Sequence, residues 1–408
     1  MNILYINHYA GSPAYGMEFR PYYLAKEWIK AGHNVVIVGA TFSHLRKQQP
    51  KPGSETIDGI PYYWIKTNTY AGNGVGRIKS MKSFCCKLML QYRTALGDMR
   101  PDVVIASSTY PFDIYPARHI ARHYGAKLVY EVHDLWPLSP MVIGGYGKYH
   151  PFIWLLQRAE NFAYRHSHRV VSLLDKAYPH MKQHGLSAPR FCCIPNGYLP
   201  EEWDPAAFSP LPVEHLHLLE QLHDEGRIII GYAGGHTQST ALQTLIEAAQ
   251  RLQERQDIAF VLIGDGRSKN ELVALAQSYR LSNIFFLPSI PKTSIPTAIA
   301  HFDICYAGGV HSLLHKYGTS FNKMTDYMLS GKPIVNSVDE PGSLAERIGC
   351  ALQVEAENPD QVARAITQLV SMTAEECQAM GLKGRDYALK NLAYPTLAAR
   401  FINEVSKA

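Results

Sequence analysis

Short apolar runs alternate along this chain with longer segments whose apolar positions recur every three or four residues. Residues 3–6 form the first apolar run, and residues 8–16 a loop after it. Residues 18–31 then carry Tyr22, Leu24, Ala25, Trp28 and Ile29 on one side, which predicts an amphipathic helix. Pro21 is tolerated there because it falls in the first turn. Gly32 and His33 end the helix, and residues 34–38 read as a second strand. Further strands are predicted at 60–65, 102–106, 127–132 and 169–173, most of them separated by helical patterns. The pattern restarts at 227–233 and continues at 259–263, 283–290, 303–306, 333–335 and 350–354. Strands alternating with helices predict parallel sheets covered on both faces, with ligands beyond the carboxyl ends of the strands.

The break between the two series lies at 198–226, which holds four prolines and no strand pattern. It is read as a linker between an N-terminal domain (1–197) and a C-terminal domain (227–390), followed by a terminal helical segment (391–408). Leu397, Phe401 and Val405 mark that last segment at four-residue spacing. A length of 408 residues with 46% hydrophobic and 18% charged residues is enough for two cores. A net charge of +5 without a dense Lys/Arg block argues against a nucleic-acid partner. The seven cysteines, at 85, 86, 192, 193, 305, 350 and 377, form no Cys-x-x-Cys pair, which fits a reducing cytoplasm. The opening residues are too short an apolar run for a signal peptide, and no run is long enough to span a bilayer. A cytoplasmic location is expected, with peripheral attachment to the inner membrane as an option.

Candidate chemistry concentrates at 317–335. Ser320 or Asn322 is expected to cap a helix, Gly331 to end it and Pro333 to prevent its continuation. The loop with Ser320, Phe321 and Asn322 aims a helix start at one point, with Lys323 beside it, a combination suited to a phosphate. Asp326, one turn further, is placed to accept bonds from sugar hydroxyls. A plain surface helix feeding a sheet is the competing reading. A second anion-binding pattern runs from Gly264 to Lys269, with Gly266 and Arg267 between them. Lys269 is the first candidate for a diphosphate and Lys323 the second. In the N-terminal half, Gly11, Ser12 and Gly16 form a loop without Gly-x-Gly-x-x-Gly spacing, so a dinucleotide cofactor is not expected. His133 and Asp134 follow the strand at 127–132 and are predicted at the ligand edge, as a catalytic or positioning pair or as a satisfied structural pair. Residues 77–96 read as a basic amphipathic helix, either packed on the first sheet or lying on an anionic membrane surface. The chain contains no Asp-x-Asp, so neither Mg²⁺ nor Mn²⁺ is expected to assist, and positive charge must come from lysines and helix ends.

The stretch Tyr317-Gly-Thr-Ser-Phe-Asn-Lys, with Asp326-Tyr-Met and Gly331-Lys-Pro-Ile after it, resembles the donor-binding segment of the retaining GT-B glycosyltransferases of family 4. Within that family it is similar to the O-antigen and capsule transferases for N-acetylated 6-deoxy-amino sugars such as N-acetylfucosamine. The family has two glutamates eight residues apart; here Asp326 stands at the second position and Gly318 at the first. The resemblance implies two Rossmann-like doubly wound domains facing across a cleft, with the last helix returning to the first domain. It implies a nucleotide-sugar donor, expected to be UDP-linked, and a polyprenyl-diphosphate-linked saccharide acceptor at the membrane. The family often grips the diphosphate with Arg and Lys after the first strand of the second domain, where this chain has Gly235 and His236. It reads the nucleobase with the backbone near Ser289, and lines the cleft with the loop holding Gly11. In it Asp134 would accept the acceptor hydroxyl's proton, or His133 and Asp134 would position the sugar. The other readings are a GT-B nucleotide-sugar epimerase and a non-catalytic nucleotide-sugar-binding protein, the latter favoured by Gly318.

Overall fold

The computed structural model describes residues 1–72 and 74–407, which divide into two compact units. The first comprises Met1–Asn196 with Tyr394–Ala408, and the second Gly197–Ala393.

The first unit is built on eight strands: β1 (Asn2–Ile6), β2 (Asn34–Ala40), β3 (Gly53–Ile57), β4 (Ile60–Ile65), β5 (Val103–Ala106), β6 (Lys127–Val132), β7 (Arg169–Ser172) and β8 (Phe191–Cys193). Their order is β3-β4-β2-β1-β5-β6-β7-β8, parallel except for the antiparallel edge strand β3. β3 was not legible as a strand, because its polar sequence Gly-Ser-Glu-Thr-Ile lacks an apolar run. The Asp58-Gly59 turn, with φ of 49° and 79°, closes the β3–β4 hairpin and was the available signal. Order reverses between β1 and β5, so the chain leaves a crevice beyond Ile6 and Ala106. The helix Arg20–Lys30 packs against the terminal helix Tyr394–Ser406, with Trp28 Nε1 donating to the carbonyl of Ala398 at 3.1 Å. Leu397, Phe401 and Val405 are buried there.

The second unit has six parallel strands: β9 (Ile228–Ala233), β10 (Ile258–Ile263), β11 (Ile284–Leu287), β12 (Ile304–Gly308), β13 (Ile334–Ser337) and β14 (Ala351–Val354). Their order, β11-β10-β9-β12-β13-β14, is the doubly wound dinucleotide-fold order, with its switch point between β9 and β12. β10 is buried at every position, as expected of a central strand covered on both faces. Residues 198–226 are not a bare linker. They form two short 3-10 turns and the helix Val213–Asp224, whose Leu219 and Leu222 are buried in the core beneath β9 and β10. The density of prolines masked that helix, which starts directly after Pro212.

Candidate functional site

In the second unit, two glycine-containing loops meet at the carboxyl edge of the sheet. One follows β9 (Gly234 to Thr237) and the other follows β10 (Gly264 to Ser268). His236 N donates to the carbonyl of Asp265 at 2.9 Å, and Ser268 N donates to that of His236 at 3.1 Å. The approach is too close for side chains at the crossing points. A Cβ on Gly264 would lie 1.9 Å from the Gly234 oxygen, and one on Gly266 2.2 Å from the His236 oxygen. Gly235, by contrast, is exposed and open, so its main chain faces solvent at this edge.

His236 is fully buried between the loops, and neither ring nitrogen has a hydrogen-bond partner. Burial, then the charges of Lys269 and Lys323, lower its pKa to about 4, so it is neutral at pH 7. Lys269 turns inward: its Nζ donates to the carbonyls of Gly264 at 2.7 Å and Leu287 at 3.0 Å. It therefore ties the β10 loop to the end of β11, with one N–H left to offer a ligand. Lys323 stands in the first turn of the helix Asn322–Ser330, its Nζ 2.8 Å from the Tyr232 hydroxyl. Tyr232 donates in turn to the Gly235 carbonyl at 2.8 Å. Lys323 has no carboxylate partner among the described residues, and burial lowers its pKa to about 8. A desolvated ammonium without a carboxylate partner, at a helix start and a glycine loop, has the chemistry that suits an anion.

Around this centre the expected residues are distributed unevenly. The helix Asn322–Ser330 has Phe321 as its N-cap without a side-chain cap bond, so neither Ser320 nor Asn322 holds the N-cap position. In its first turn the Met324 N–H donates to the Phe321 carbonyl at 3.0 Å, and the N-cap side chain takes none of the remaining N–H groups. Gly331, with φ of 71°, ends the helix as read from sequence. Asp326 lies one turn on, hydrogen-bonded to Trp203, and burial raises its carboxyl to about 6. Arg267 and Ser289 are exposed, flanking this edge on the loops after β10 and β11. Gly318 has φ of 104°, a backbone conformation that disfavours any side chain, a glutamate included. The neighbouring Thr319 instead donates to the buried carboxylate of Glu340, beyond β13. Tyr232, Trp203 and Glu340 were missed in the sequence because single aromatic or acidic residues near strand ends carry no spacing signal.

In the first unit, His133 and Asp134 part company. His133 turns into a buried network: its Nε2 is 2.9 Å from Ser107 Oγ and 3.4 Å from Glu131 Oε2. Glu131 also accepts from Tyr5 at 2.5 Å and pairs with the fully buried Arg20 at 2.9 Å. Arg20 donates further to the carbonyls of Ile194 and Pro195. Burial alone would raise the Glu131 carboxyl, but Arg20 and His133 hold it well below the usual range. Burial opposes the charge on His133 too, yet Glu131 keeps its pKa raised. Asp134 points the other way, at solvent, beside a cavity of about 380 Å³ walled by Tyr9, Arg77, Met81, Trp136 and Phe152. Crowding by protein raises its carboxyl above the usual range, against the pull of His133. Arg77 lies over the Tyr9 and Trp136 rings, 5.4 and 5.7 Å from their centres. Gly11 is required by the loop's own packing: a Cβ there would sit 1.9 Å from the Gly16 oxygen. Ser12 is buried in the same turn, its N–H bonded to the Gly16 carbonyl at 3.0 Å. The helix Val75–Leu96 buries Met81, Phe84, Leu88, Tyr92 and Leu96 and leaves Lys79, Lys82, Leu90 and Arg93 exposed.

Two Rossmann-like sheets, the second carrying a lysine and paired glycine loops at its ligand edge, define a GT-B glycosyltransferase. The chain belongs to the glycosyltransferases: residues 15–197 match the glycosyl transferase 4-like domain, and residues 227–372 match glycosyl transferases group 1. The two matches together cover about four-fifths of the chain. It is similar to an Escherichia coli (strain K12) protein named "Putative colanic acid biosynthesis glycosyl transferase WcaI", 24% identical over 93% of each chain. Among solved structures it is similar to HepE of Anabaena in complex with UDP-glucose (16% identity, 100% of both chains, TM-score 0.67). It is also similar to WaaG, a glycosyltransferase involved in lipopolysaccharide biosynthesis (14% identity, 100% of both chains, TM-score 0.65). No described helix is long and apolar enough to cross a membrane.

Proposed function

We propose that this glycosyltransferase moves a sugar from a UDP-linked donor to a lipid-linked saccharide in bacterial surface polysaccharide synthesis, retaining the anomeric configuration. The sugar is an N-acetylated deoxy-amino sugar. The reading draws on the UDP-glucose complex of HepE, the WcaI likeness and the wording of residues 317–334. The observation that carries it is Lys323, a partly buried lysine without a carboxylate partner among the described residues, beside the glycine loops of the second sheet.

The donor diphosphate takes the edge formed by Gly235, the start of the helix Asn322–Ser330 and Lys323, with Lys269 holding the loop in shape. Asp326 accepts from the ribose. The bond between the sugar's anomeric carbon and the diphosphate oxygen breaks, and its electron pair leaves with UDP. Lys323 and the free amides stabilise that charge, each well-placed donor contributing on the order of 3 kcal/mol. No divalent metal takes part in this reading. In the first unit the cavity at Trp136 and Arg77 takes the acceptor, and Asp134 receives the proton of its hydroxyl as the new bond forms. The exposed Lys79, Lys82 and Leu90 hold the acceptor side near an anionic membrane surface.

The test is a thermal-shift screen of nucleotide sugars, followed by product mass with a polyprenyl-diphosphate-linked saccharide. A UDP-sugar should raise the melting temperature, and the product should gain one N-acetyl-deoxyhexosamine. Failure of every UDP-sugar to shift the protein, or a released free sugar in place of a heavier lipid product, would refute the reading.

A further inference from the structure

The first unit contains a buried cluster on the helices Pro151–His166 and Tyr178–Gln183. Gln157, Glu160, Asn161 and Tyr164 come from the first, His180 from the second, and His184 caps the second at its C-terminus. Glu160 is 1% exposed, yet no Lys or Arg lies within ion-pair distance of it among the described residues. Its Oε1 accepts from the Tyr164 hydroxyl at 2.9 Å, and its one partner able to carry positive charge is His180, with Nε2 3.0 Å from the same oxygen. Glu131 in the same unit shows the usual solution, a buried arginine. Glu160 lacks that cation.

The second observation is a convergence of acceptors. The Gln157 amide nitrogen sits 2.6 Å from Glu160 Oε2, 2.8 Å from Asn161 Oδ1 and 2.9 Å from His184 Nδ1. Asn161 Oδ1 lies 3.1 Å from His184 Nδ1 as well, so with the ring proton on Nε2 three acceptors crowd an amide that has two N–H bonds. A cation at that place satisfies all three. The ligand atoms of Glu160, His180 and His184 all lie within 4.8 Å of one another. Tetrahedral zinc sites, with bonds of about 2.0–2.1 Å, need ligand atoms about 3.3 Å apart, so the side chains draw together from separations of up to 4.8 Å when the ion binds.

We propose that Glu160, His180 and His184 bind one divalent transition-metal ion of the zinc class, with the Asn161 amide oxygen as neighbouring fourth ligand and the Gln157 amide displaced. Two imidazoles and a carboxylate are a borderline donor set that favours Zn²⁺ or Co²⁺ over Mg²⁺. The bound ion supplies the charge that Glu160 lacks and clamps the two helices together.

The full chain, free of any histidine tag and stripped with a chelator, is titrated with Zn²⁺ by calorimetry and with Co²⁺ by visible absorption. One equivalent should bind, with a tetrahedral Co²⁺ spectrum and a raised melting temperature. His184→Ala, at a half-buried position, should weaken binding at least tenfold and remove the spectrum, and Glu160→Gln should do the same. Absence of stoichiometric binding by the wild type overturns the proposal. So does undiminished binding by His184→Ala, which would assign the ion to surface histidines.

Discussion

The ammonium of Lys323 lies 2.8 Å from the hydroxyl of Tyr232 and 4.3 Å from the centre of its ring. The phenol both accepts from the lysine and donates to the Gly235 carbonyl, so it fixes the ammonium at the glycine loop. A phenol compensates only part of a desolvated charge, and the Lys323 pKa falls to about 8.

This gives a pH dependence of donor binding. In the free protein the charged lysine is disfavoured, a penalty present below about pH 8 and relieved as pH rises toward the unfolded value of 10.5. A bound diphosphate restores the charge and takes up a proton above pH 8. UDP affinity should therefore be flat from pH 6.5 to 8 and fall by up to about tenfold per unit above it. Calorimetry across that range checks this; Lys323→Ala should bind weakly at every pH with no such fall.

Lys269 has a different predicted signature. From sequence alone Lys269→Ala leaves the fold intact and removes a phosphate ligand. In the structure its Nζ joins two main-chain carbonyls, so the substitution should also lower stability, by about 2 kcal/mol for hydrogen bonds to a charged group. Thermal melting with and without UDP separates the two effects: the apo melting temperature should drop for Lys269→Ala and stay or rise for Lys323→Ala.

Asp326 is poised against its own stability. Its carboxyl is raised to about 6, from an ordinary 3.8, chiefly by burial. The charged form costs stability above pH 6, and that cost vanishes as pH falls below 3.8. Asp326→Asn should stabilise the apo protein at pH 7 by on the order of 2 kcal/mol. It should also raise the KM for the donor. Denaturant unfolding and steady-state kinetics measure the two.

The Arg20–Glu131 pair lies under the ligand edge of the first sheet. Arg20→Met leaves Glu131 buried with His133 as the one neighbour able to carry positive charge, at a cost of about 3–5 kcal/mol. Because the Glu131 pKa is depressed in the folded state, the pair's contribution is present above about 4.5 and lost as pH falls further. Acid unfolding of wild type should be steep below that pH, and Arg20→Met should flatten it.

The architecture was largely legible because its strands are continuous apolar runs: β10 is buried at all six positions and reads that way from its sequence Ile-Ala-Phe-Val-Leu-Ile. The edge strand β3 and the helix after Pro212 were not, since a polar hairpin arm and a proline-flanked helix show weak local patterns. At the candidate site, local sequence pointed to the loops and to Lys323, but not to what each side chain faces. His133 and Asp134 are adjacent in sequence, yet one enters a buried ion network and the other meets solvent. Gly318 reads as a lost carboxylate, whereas its φ of 104° shows a backbone that disfavours a side chain at that point. Such facts depend on tertiary neighbours that no spacing encodes.

The central claim is that Lys323 and exposed amides of the second unit receive the donor's diphosphate without a divalent ion. Calorimetric titration of UDP into wild type and Lys323→Ala, each with and without added Mn²⁺, tests it most directly. The account predicts wild-type affinity indifferent to Mn²⁺ and at least tenfold weaker binding by the variant. Equal affinity of the two proteins, or binding that emerges only with Mn²⁺, would contradict it.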